Sequence, residues 1–347
     1  MAPVSPHRPR SLPIVGGTVV VLGLLAGACA APGGGGAGQG RTTISGAGAT
    51  FPAAAYQGWS AAYARSTGNR VIYQSVGSGA GVRQFLAGTV DFGATDEPLS
   101  ASEFSGGQAG KRGALQIPML GGTVTPAYNN PACPSLKLSQ AQLAAIYLGK
   151  LRDWQQLGCP SGPITVVHRS DGSGTTKAFT RSLSCFSPEW KSRVGSGKSV
   201  PWPVGIGAKG NEGVAGTLAN TPGAIGYVNQ AFVRAPIRAA ALQNKAGRFV
   251  LADGKSGAAA LSRVVLDSRL GGSDCNPAGA ESFPIVAFTW ILAYESGQGP
   301  AKAAAVRSFL NWGLGEDPQQ QASALGYVPL QGEVLAKARA AVAKIRD

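Results

Sequence analysis

The stretch that decides the fold is residues 168–177, which read HRSDGSGTTK and follow the apolar run 164–167. The apolar run predicts a β-strand, and the small residues after it predict a tight turn that opens a helix. The first N–H groups of a helix have no partner within the helix, and here the guanidinium of Arg169 lies beside them. The combination predicts a grip for an oxyanion.

Two other segments repeat this design of strand, small-residue turn and helix start. They are residues 49–51, which read ATF, and residues 77–79, which read GSG. One such turn is weak evidence, because most are ordinary helix caps. Three of them, one with an arginine, predict a single anion site, since ligands of open α/β sheets lie at the carboxyl ends of strands beside helix starts.

Strand and helix patterns alternate along the chain, which predicts an α/β fold. Apolar runs predict strands at 42–45, 71–74, 90–94, 115–120, 124–128, 164–167, 224–228 and 285–293. Helical spacing predicts helices at 53–65, 82–87, 139–148, 175–183, 213–220, 301–312 and 334–345.

The N-terminal segment has the pattern of an export signal. Arg8 and Arg10 precede the uncharged apolar run 14–28, which is shorter than the ~20 residues of a membrane span. Small residues then precede Cys29, as at a bacterial lipidation site, although Ala26 replaces the usual leucine. We therefore expect a signal peptide at 1–28, a lipid on Cys29 and a flexible Gly- and Ala-rich tether at 29–41. An ordinary signal peptide cut nearby, leaving a free thiol, is the alternative.

The basic charge of the chain does not indicate nucleic-acid binding. The formal net charge is +14, but the Lys and Arg residues are scattered. The densest run, 337–346, is alanine-rich and has no interleaved aromatic residues. We expect the basic charge only to make the surface favourable for anionic ligands or anionic lipid headgroups.

Four cysteines follow Cys29, and an even number in an exported chain predicts two disulfides. They are Cys133, Cys159, Cys185 and Cys275. Three pairings are possible, and we expect Cys133–Cys159 with Cys185–Cys275 because the first pair brackets one local segment. His168 is the only histidine after His7, and no Cys-x-x-Cys occurs, so we expect no metal site and no cofactor.

The motifs of nucleotide-binding proteins and of enzymes with a nucleophilic serine are incomplete in this sequence. Residues 205–210 match the dinucleotide fingerprint letter by letter, but no acidic residue follows about 20 positions later. Neither Ser78 nor Ser173 lies in the Gly-x-Ser-x-Gly nucleophile pattern, so we expect no catalytic residue.

Four long stretches resemble the phosphate-binding protein of the bacterial phosphate-specific ABC transporter. They are SGAGATFPAAAYQGW at 45–59, GSGAGVRQFLAGTVDFGATDEPLS at 77–100, HRSDGSGTT at 168–176 and GNEGVAGTLANTPGAIGYV at 210–228. The resemblance implies a type II periplasmic-binding-protein fold, with two α/β domains joined by a hinge and the ligand in the cleft. It places domain I at 42–124 plus 290–347 and domain II at 125–289.

The same resemblance implies the ligands of inorganic phosphate. The positions that match the family's ligands are Thr50, Phe51, Ser78, Asp96, Arg169, Ser173, Gly174 and Thr175. Asp171 matches the residue that pairs with the clamp arginine and fixes its orientation. Gly79 stands where many members have a second serine, and His168 stands where a second arginine often sits. We expect His168 to lie behind the ligands or at the surface.

Asp96 is the informative member of this set. A carboxylate tolerates an oxyanion only if the ligand brings a proton to donate, and phosphate near neutral pH carries a P–OH whereas sulfate carries none. The wrong ligand would leave the carboxylate repelled and unpaired. Asp96 therefore predicts selectivity for a protonated oxyanion, with arsenate as a possible competitor.

These observations predict an extracytoplasmic lipoprotein, held at the cell membrane, that captures phosphate and delivers it to a permease pair driven by an ATPase. Catalysis is not expected. An extracytoplasmic phosphatase on the same fold is the alternative, and it would need a nucleophile or metal ligands near the cleft. A binder of another oxyanion, or a surface protein used in adhesion or signalling, is the second alternative.

Overall fold

The computed structural model describes residues 41–347. Within them the strands are β1 (Thr43–Gly48), β2 (Arg70–Ser75), β3 (Phe92–Thr95), β4 (Ala114–Asn129), β5 (Lys137–Leu138), β6 (Thr165–Arg169), β7 (Ile206–Ala208), β8 (Ala224–Asn229), β9 (Arg238–Ala239), β10 (Ala241–Gln243), β11 (Phe249–Val250) and β12 (Val286–Tyr294). The predicted signal peptide (1–28), the lipidated Cys29 and nearly all of the tether (29–41) lie outside the described residues.

Helices connect most of these strands. They are α1 (Ala53–Thr67), α2 (Ser78–Ala87), α3 (Ala101–Ser105), α4 (Gly107–Arg112), α5 (Gln140–Tyr147), α6 (Gly174–Phe186), α7 (Pro188–Arg193), α8 (Gly210–Asn220), α9 (Gly254–Leu261), α10 (Pro300–Gly313), α11 (Glu316–Ala324) and α12 (Gly332–Val342). Short 3-10 turns occur at Trp154–Leu157 and Gln230–Phe232. The predicted α/β fold class is confirmed.

One large sheet carries the fold, in the strand order β2-β1-β3-β12-β4-β8-β6-β7, with β9 beside β4. The pairs β2-β1-β3 and β8-β6-β7 are parallel, whereas β12 and β4 run antiparallel to their neighbours. We call β1, β2, β3 and β12 with their helices the first half, and β6, β7 and β8 with theirs the second half. Each half directs the carboxyl ends of its parallel strands, and the helix starts that follow them, toward the same region.

Strand β4 joins the two halves and corrects a prediction. The sequence predicted two strands at 115–120 and 124–128, with the pair 121–122 (Gly-Gly), which weakens a strand, between them. The structure has one strand whose part 114–123 pairs with β12 and whose part 124–129 pairs with β8. The pairing register passes over Met119, so a bulge absorbs the proline without ending the strand.

Helix α1 shows how the sequence positions a turn beside the site. Its buried face carries Tyr56, Trp59 and Tyr63, which pack into the main hydrophobic core. Gly68 ends the helix in the left-handed conformation, with φ at 76°. Because the buried face anchors the helix, the turn before Ala53 is held against the end of β1.

Both predicted disulfides are present. Cys133 is bonded to Cys159, and Cys185 near the end of α6 is bonded to Cys275 in the loop before β12. The pairing chosen among the three possibilities is therefore confirmed. The second bond ties α6, which carries part of the candidate site, to a distant loop.

None of the helices in residues 41–347 combines the length and the apolar character that crossing a bilayer requires. The same residues contain no group of three or more His, Cys, Asp and Glu side chains placed to hold a metal ion.

Candidate oxyanion-binding site

The turns predicted to grip an anion meet between the two halves of the sheet. Ser78, at the start of α2, accepts a hydrogen bond on Oγ from the N–H of Gly174, at the start of α6, at 3.0 Å. Thr175 Oγ1 donates to Asp96 Oδ2 at 3.1 Å. These four residues are buried, so residues far apart in sequence form one enclosed polar cluster.

The turn between β1 and α1 contributes Thr50 and Phe51 to this cluster. Thr50 Oγ1 accepts hydrogen bonds from Asn211 N–H at 3.0 Å and from Asn211 Nδ2 at 2.8 Å. The carbonyl of Phe51 accepts a hydrogen bond from the hydroxyl of Tyr327 at 2.8 Å. Both turn residues are buried, and these bonds hold the turn on both sides.

The start of α6 supplies backbone donors. Ser173 caps the helix, with Oγ accepting from the N–H of Thr176 at 3.0 Å. Gly174 N–H is engaged by Ser78. The N–H of Thr175 then has no hydrogen-bond partner among residues 41–347, since it lies too early in the helix for an intrahelical bond. A buried donor of this kind suits an anion.

Two glycines permit the close approach of the halves. A Cβ added to Gly174 would lie 2.8 Å from backbone atoms of Asp96, so a side chain there would force α6 away from β3. Gly77 has φ at 91°, and an added Cβ would lie 2.2 Å from Asp171 Oδ2. The glycines of the GSG and DGSG turns are therefore required by contact between the turns.

Arg169 ends β6 and is 3% exposed. Its Nε donates to Asp171 Oδ1 at 2.7 Å and its Nη2 to Asp171 Oδ2 at 2.5 Å, which fixes the guanidinium in a two-bond pair. Its Nη1 is buried without a hydrogen-bond partner. Burial opposes ionisation of Asp171, but the hydrogen bonds and charge of Arg169 outweigh it and hold the pKa of this carboxyl below its usual value. Arg169 is thus a fixed cation whose Nη1 group is free to donate.

Asp96 follows β3 and is 1% exposed. One carboxylate oxygen accepts from Thr175, whereas Oδ1 is buried with no hydrogen-bond partner. Burial raises the pKa of Asp96 to about 7, and the nearby hydroxyl of Thr289 and charge of Arg169 offset only part of this effect. A buried acceptor without a donor is costly, so the geometry favours a ligand that can donate a proton to it.

The two positions that depart from the family pattern, His168 and Gly79, each contact a residue outside the predicted ligand set. The ring of His168 stacks on Trp202 with 4.7 Å between centroids, and burial lowers the pKa of this histidine. Gly79 N–H donates to the carbonyl of Gly172 at 2.7 Å, and an added Cβ would lie 3.1 Å from the Cα of Gly172. A serine at position 79, as the resemblance implies for many family members, would be tightly packed against Gly172.

Comparison with known sequences identifies the family. A sequence model described as a PBP superfamily domain matches residues 34–317. The chain is 42% identical over 312 residues to the phosphate-binding protein PstS of Pasteurella multocida, covering 86% of this chain and 89% of the relative. It is 40% identical over 307 residues to the protein of the same name from Haemophilus influenzae, covering 84% and 90%. The chain belongs to the phosphate-binding protein family.

The fold of this family member agrees with that membership. A solved structure of a human phosphate binding apolipoprotein superposes with a TM-score of 0.71 at 24% identity, covering 86% of this chain and 93% of that one. The type II periplasmic-binding-protein fold and the family resemblance predicted from the four sequence stretches are therefore confirmed.

Asn211 was not predicted from the sequence. In the structure it lies among the predicted ligands. Its Nδ2 contacts Thr50 and lies 3.4 Å from Thr175 Oγ1. The helix was predicted to begin at Gly213, whereas α8 begins at Gly210. The stretch 210–228 resembles the family, but no pattern within it indicates that Asn211 faces another turn.

Proposed function

We propose that this protein captures inorganic phosphate outside the cytoplasm and delivers it to an ABC importer made of a permease pair and an ATPase. The relatives at 40–42% identity carry the name phosphate-binding protein, which supports this function. The protein acts by binding and not by catalysis. The enclosed cluster of donors around Arg169 supports capture of a small anion.

The observation that carries the proposal is a buried cluster that holds the unpaired Oδ1 of Asp96 together with unpaired donors of Arg169 and Thr175. Nη1 of Arg169 and the N–H of Thr175 attract an oxyanion. A carboxylate in the same enclosure rejects a fully ionised one and accepts a hydrogen bond from a protonated one. Phosphate satisfies both demands and sulfate only the first. Arsenate satisfies both, so we expect it to compete.

The proposed phosphate ligands are the eight residues identified from the family motifs, namely Thr50, Phe51, Ser78, Asp96, Arg169, Ser173, Gly174 and Thr175. Asp171 orients the arginine. We further propose that residues 42–124 and 290–347 form one domain and 125–289 the other. The change of partner along β4, from β12 to β8 between residues 123 and 124, supports the first boundary.

We propose that the mature protein is a lipoprotein attached to the membrane through Cys29. The apolar run 14–28, the small residues before Cys29 and the Gly-rich tether support this. Two disulfides in the described residues support an oxidising location outside the cytoplasm.

The function is tested by calorimetric titration of phosphate, and then sulfate, into protein stripped of carried-over ligand. We expect tight one-to-one phosphate binding, no response to sulfate and no phosphate release from a generic monoester. Asp96→Asn is expected to lower the phosphate-to-sulfate affinity ratio by at least about tenfold. Equal binding of both anions by the unmodified protein would contradict the role of Asp96, and binding of neither would contradict the function itself.

A further inference from the structure

The hydroxyl oxygen of Thr50 accepts two hydrogen bonds, and both come from Asn211. A hydroxyl group has two lone pairs and one proton. Thr50 Oγ1 accepts from the N–H of Asn211 at 3.0 Å and from Asn211 Nδ2 at 2.8 Å. Both lone pairs are therefore occupied, and among residues 41–347 the structure gives the hydroxyl proton no acceptor.

The amide of Asn211 is oriented by a partner that can only donate. Its Oδ1 accepts from the backbone N–H of Asn229, the last residue of β8, at 2.9 Å. An N–H group cannot accept, so the oxygen must face Asn229 and the NH₂ group must face Thr50. Asn211 and Asn229 are fully buried, which leaves no water to substitute for these bonds. Hydrogen bonds of fixed direction therefore connect Asn229 at the end of β8, through Asn211, to Thr50 in the β1–α1 turn. They join the second half to the first half.

Ser78 has the same arrangement without a side-chain donor. Its Oγ accepts from Gly174 N–H at 3.0 Å and from Asp96 N–H at 3.3 Å. Its proton is likewise left to donate. The two hydroxyls have their lone pairs occupied by N–H groups, but only the Thr50 arrangement depends on a side chain that mutation can change.

We propose that Asn211 is a positioning residue for oxyanion binding, which occupies a lone pair of Thr50 Oγ1 and so makes the Thr50 hydroxyl an obligatory donor to the bound anion. The role rests on the proposed phosphate function. Without the side chain, the Thr50 hydroxyl can turn and present a lone pair to the anion, which repels it. Asn211 Nδ2 also lies 3.4 Å from Thr175 Oγ1, but its two short bonds are to Thr50. Most of its contribution is therefore expected to disappear when the Thr50 hydroxyl is absent.

A double-mutant cycle tests this role. Phosphate affinity is measured by calorimetry for the unmodified protein, Asn211→Ala, Thr50→Val and the double variant. We expect Asn211→Ala to weaken binding by about 10- to 100-fold, as for loss of a hydrogen bond to a charged group. In the Thr50→Val background the same change is expected to weaken binding less than about threefold. Equal factors in both backgrounds, or no loss from Asn211→Ala, would overturn the proposal.

Two further variants guard against loss of folding. Asn211→Asp keeps an acceptor for Asn229 N–H but replaces the donor to Thr50 by an acceptor. It is expected to fold, and to weaken binding far more when Thr50 is present than in Thr50→Val, because the added charge acts equally in both. Asn220→Ala, at the exposed C-terminal end of the same helix, is the matched control and should leave affinity unchanged.

The same titrations separate failure of the role from failure of the function. If the unmodified protein binds phosphate but the effects of Asn211 and Thr50 are additive, Asn211 is a structural residue only. If the unmodified, folded protein does not bind phosphate, the proposed function fails and the positioning role fails with it.

Discussion

At the scale of single residues, Asp96 is stabilised poorly in the ligand-free protein. Its carboxylate is buried, one oxygen has no partner, and Arg169 and Thr289 compensate only partly. The folded protein therefore holds a proton on Asp96 up to a pKa of about 7, whereas the unfolded chain releases it near the ordinary aspartate pKa of 3.8. Folding and protonation of this one residue are thermodynamically coupled.

This coupling predicts a pH dependence of stability that Asp96→Asn removes. The folded state binds more protons than the unfolded state between the two pKa values, so the Asp96 contribution is complete below pH 4 and is lost as pH rises through 7. Asparagine cannot ionise. The stability of Asp96→Asn relative to the unmodified protein should therefore increase from pH 5 to pH 8, by on the order of a few kcal/mol. Urea unfolding of ligand-free protein at both pH values measures it.

The control for this prediction is Asp317→Asn, at an exposed position in the first turn of α11. Its stability relative to the unmodified protein should be nearly the same at the two pH values. A stability difference for Asp96→Asn that stays constant or shrinks as pH rises would show that Asp96 is ionised throughout this range.

At the scale of elements, one side chain can serve both a helix and a ligand. Ser173 caps α6 through Thr176 N–H at 3.0 Å and lies in the proposed ligand set. Ser139 caps α5 in the same way through Gln142 N–H at 3.1 Å, outside that set. The two serines separate the energy of capping from the energy of anion binding.

Substitution of each serine by alanine tests this separation. Both variants should lose about 1 kcal/mol of unfolding free energy, as for loss of an N-cap. Ser173→Ala should also weaken phosphate binding by about tenfold or more, because a donor to a charged ligand is removed. Ser139→Ala should bind normally. Thermal unfolding and calorimetry on the same preparations give both quantities, and unchanged affinity in Ser173→Ala would remove Ser173 from the ligand set.

The elements that the sequence predicted are those with strong local signals. Apolar periodicity and glycine stops located α1, α6 and β12 to within a few residues. Helix α11, with the sequence EDPQQQASA, was missed because it has almost no apolar stripe, and its helical state depends on packing around buried Gln319. The continuity of β4 was missed because residues 121–122 (Gly-Gly) signal a break locally, and only the pairing with β12 and then with β8 carries the strand through them.

The residues of the candidate site likewise fall into those that local sequence patterns predict and those that only the tertiary structure places. Turn chemistry and family motifs predicted the hydroxyls, the arginine and Asp96. The position of Asn211 depends on how the second half meets the first, since its partner Thr50 is 161 residues away. Such a contact between halves is not encoded in any local pattern.

At the scale of the whole molecule, ion pairs join the two halves around the site. Arg181 Nη1 on α6 donates to both carboxylate oxygens of Glu97 at 2.9 and 2.8 Å, and both side chains are less than one-fifth exposed. Lys198 Nζ lies 3.1 Å from Glu103 Oε1. These pairs hold the arrangement in which the oxyanion grips from both halves meet. In the two-domain molecule that we propose, they therefore favour the closed state.

This arrangement predicts that Glu97→Gln weakens phosphate binding. Without the pair the closed state is less populated, and apparent affinity falls in proportion, by about three- to tenfold. The sign is decisive, because removal of a negative charge near an anion site would by itself strengthen anion binding. Weaker binding therefore identifies lost closure. Glu281→Gln breaks an exposed pair with Arg248 away from the contact between the halves and is the matched control. Calorimetry at low and high salt should show a smaller salt dependence of affinity in Glu97→Gln, and tighter binding by this variant would mean that the ion pair does not stabilise the closed state.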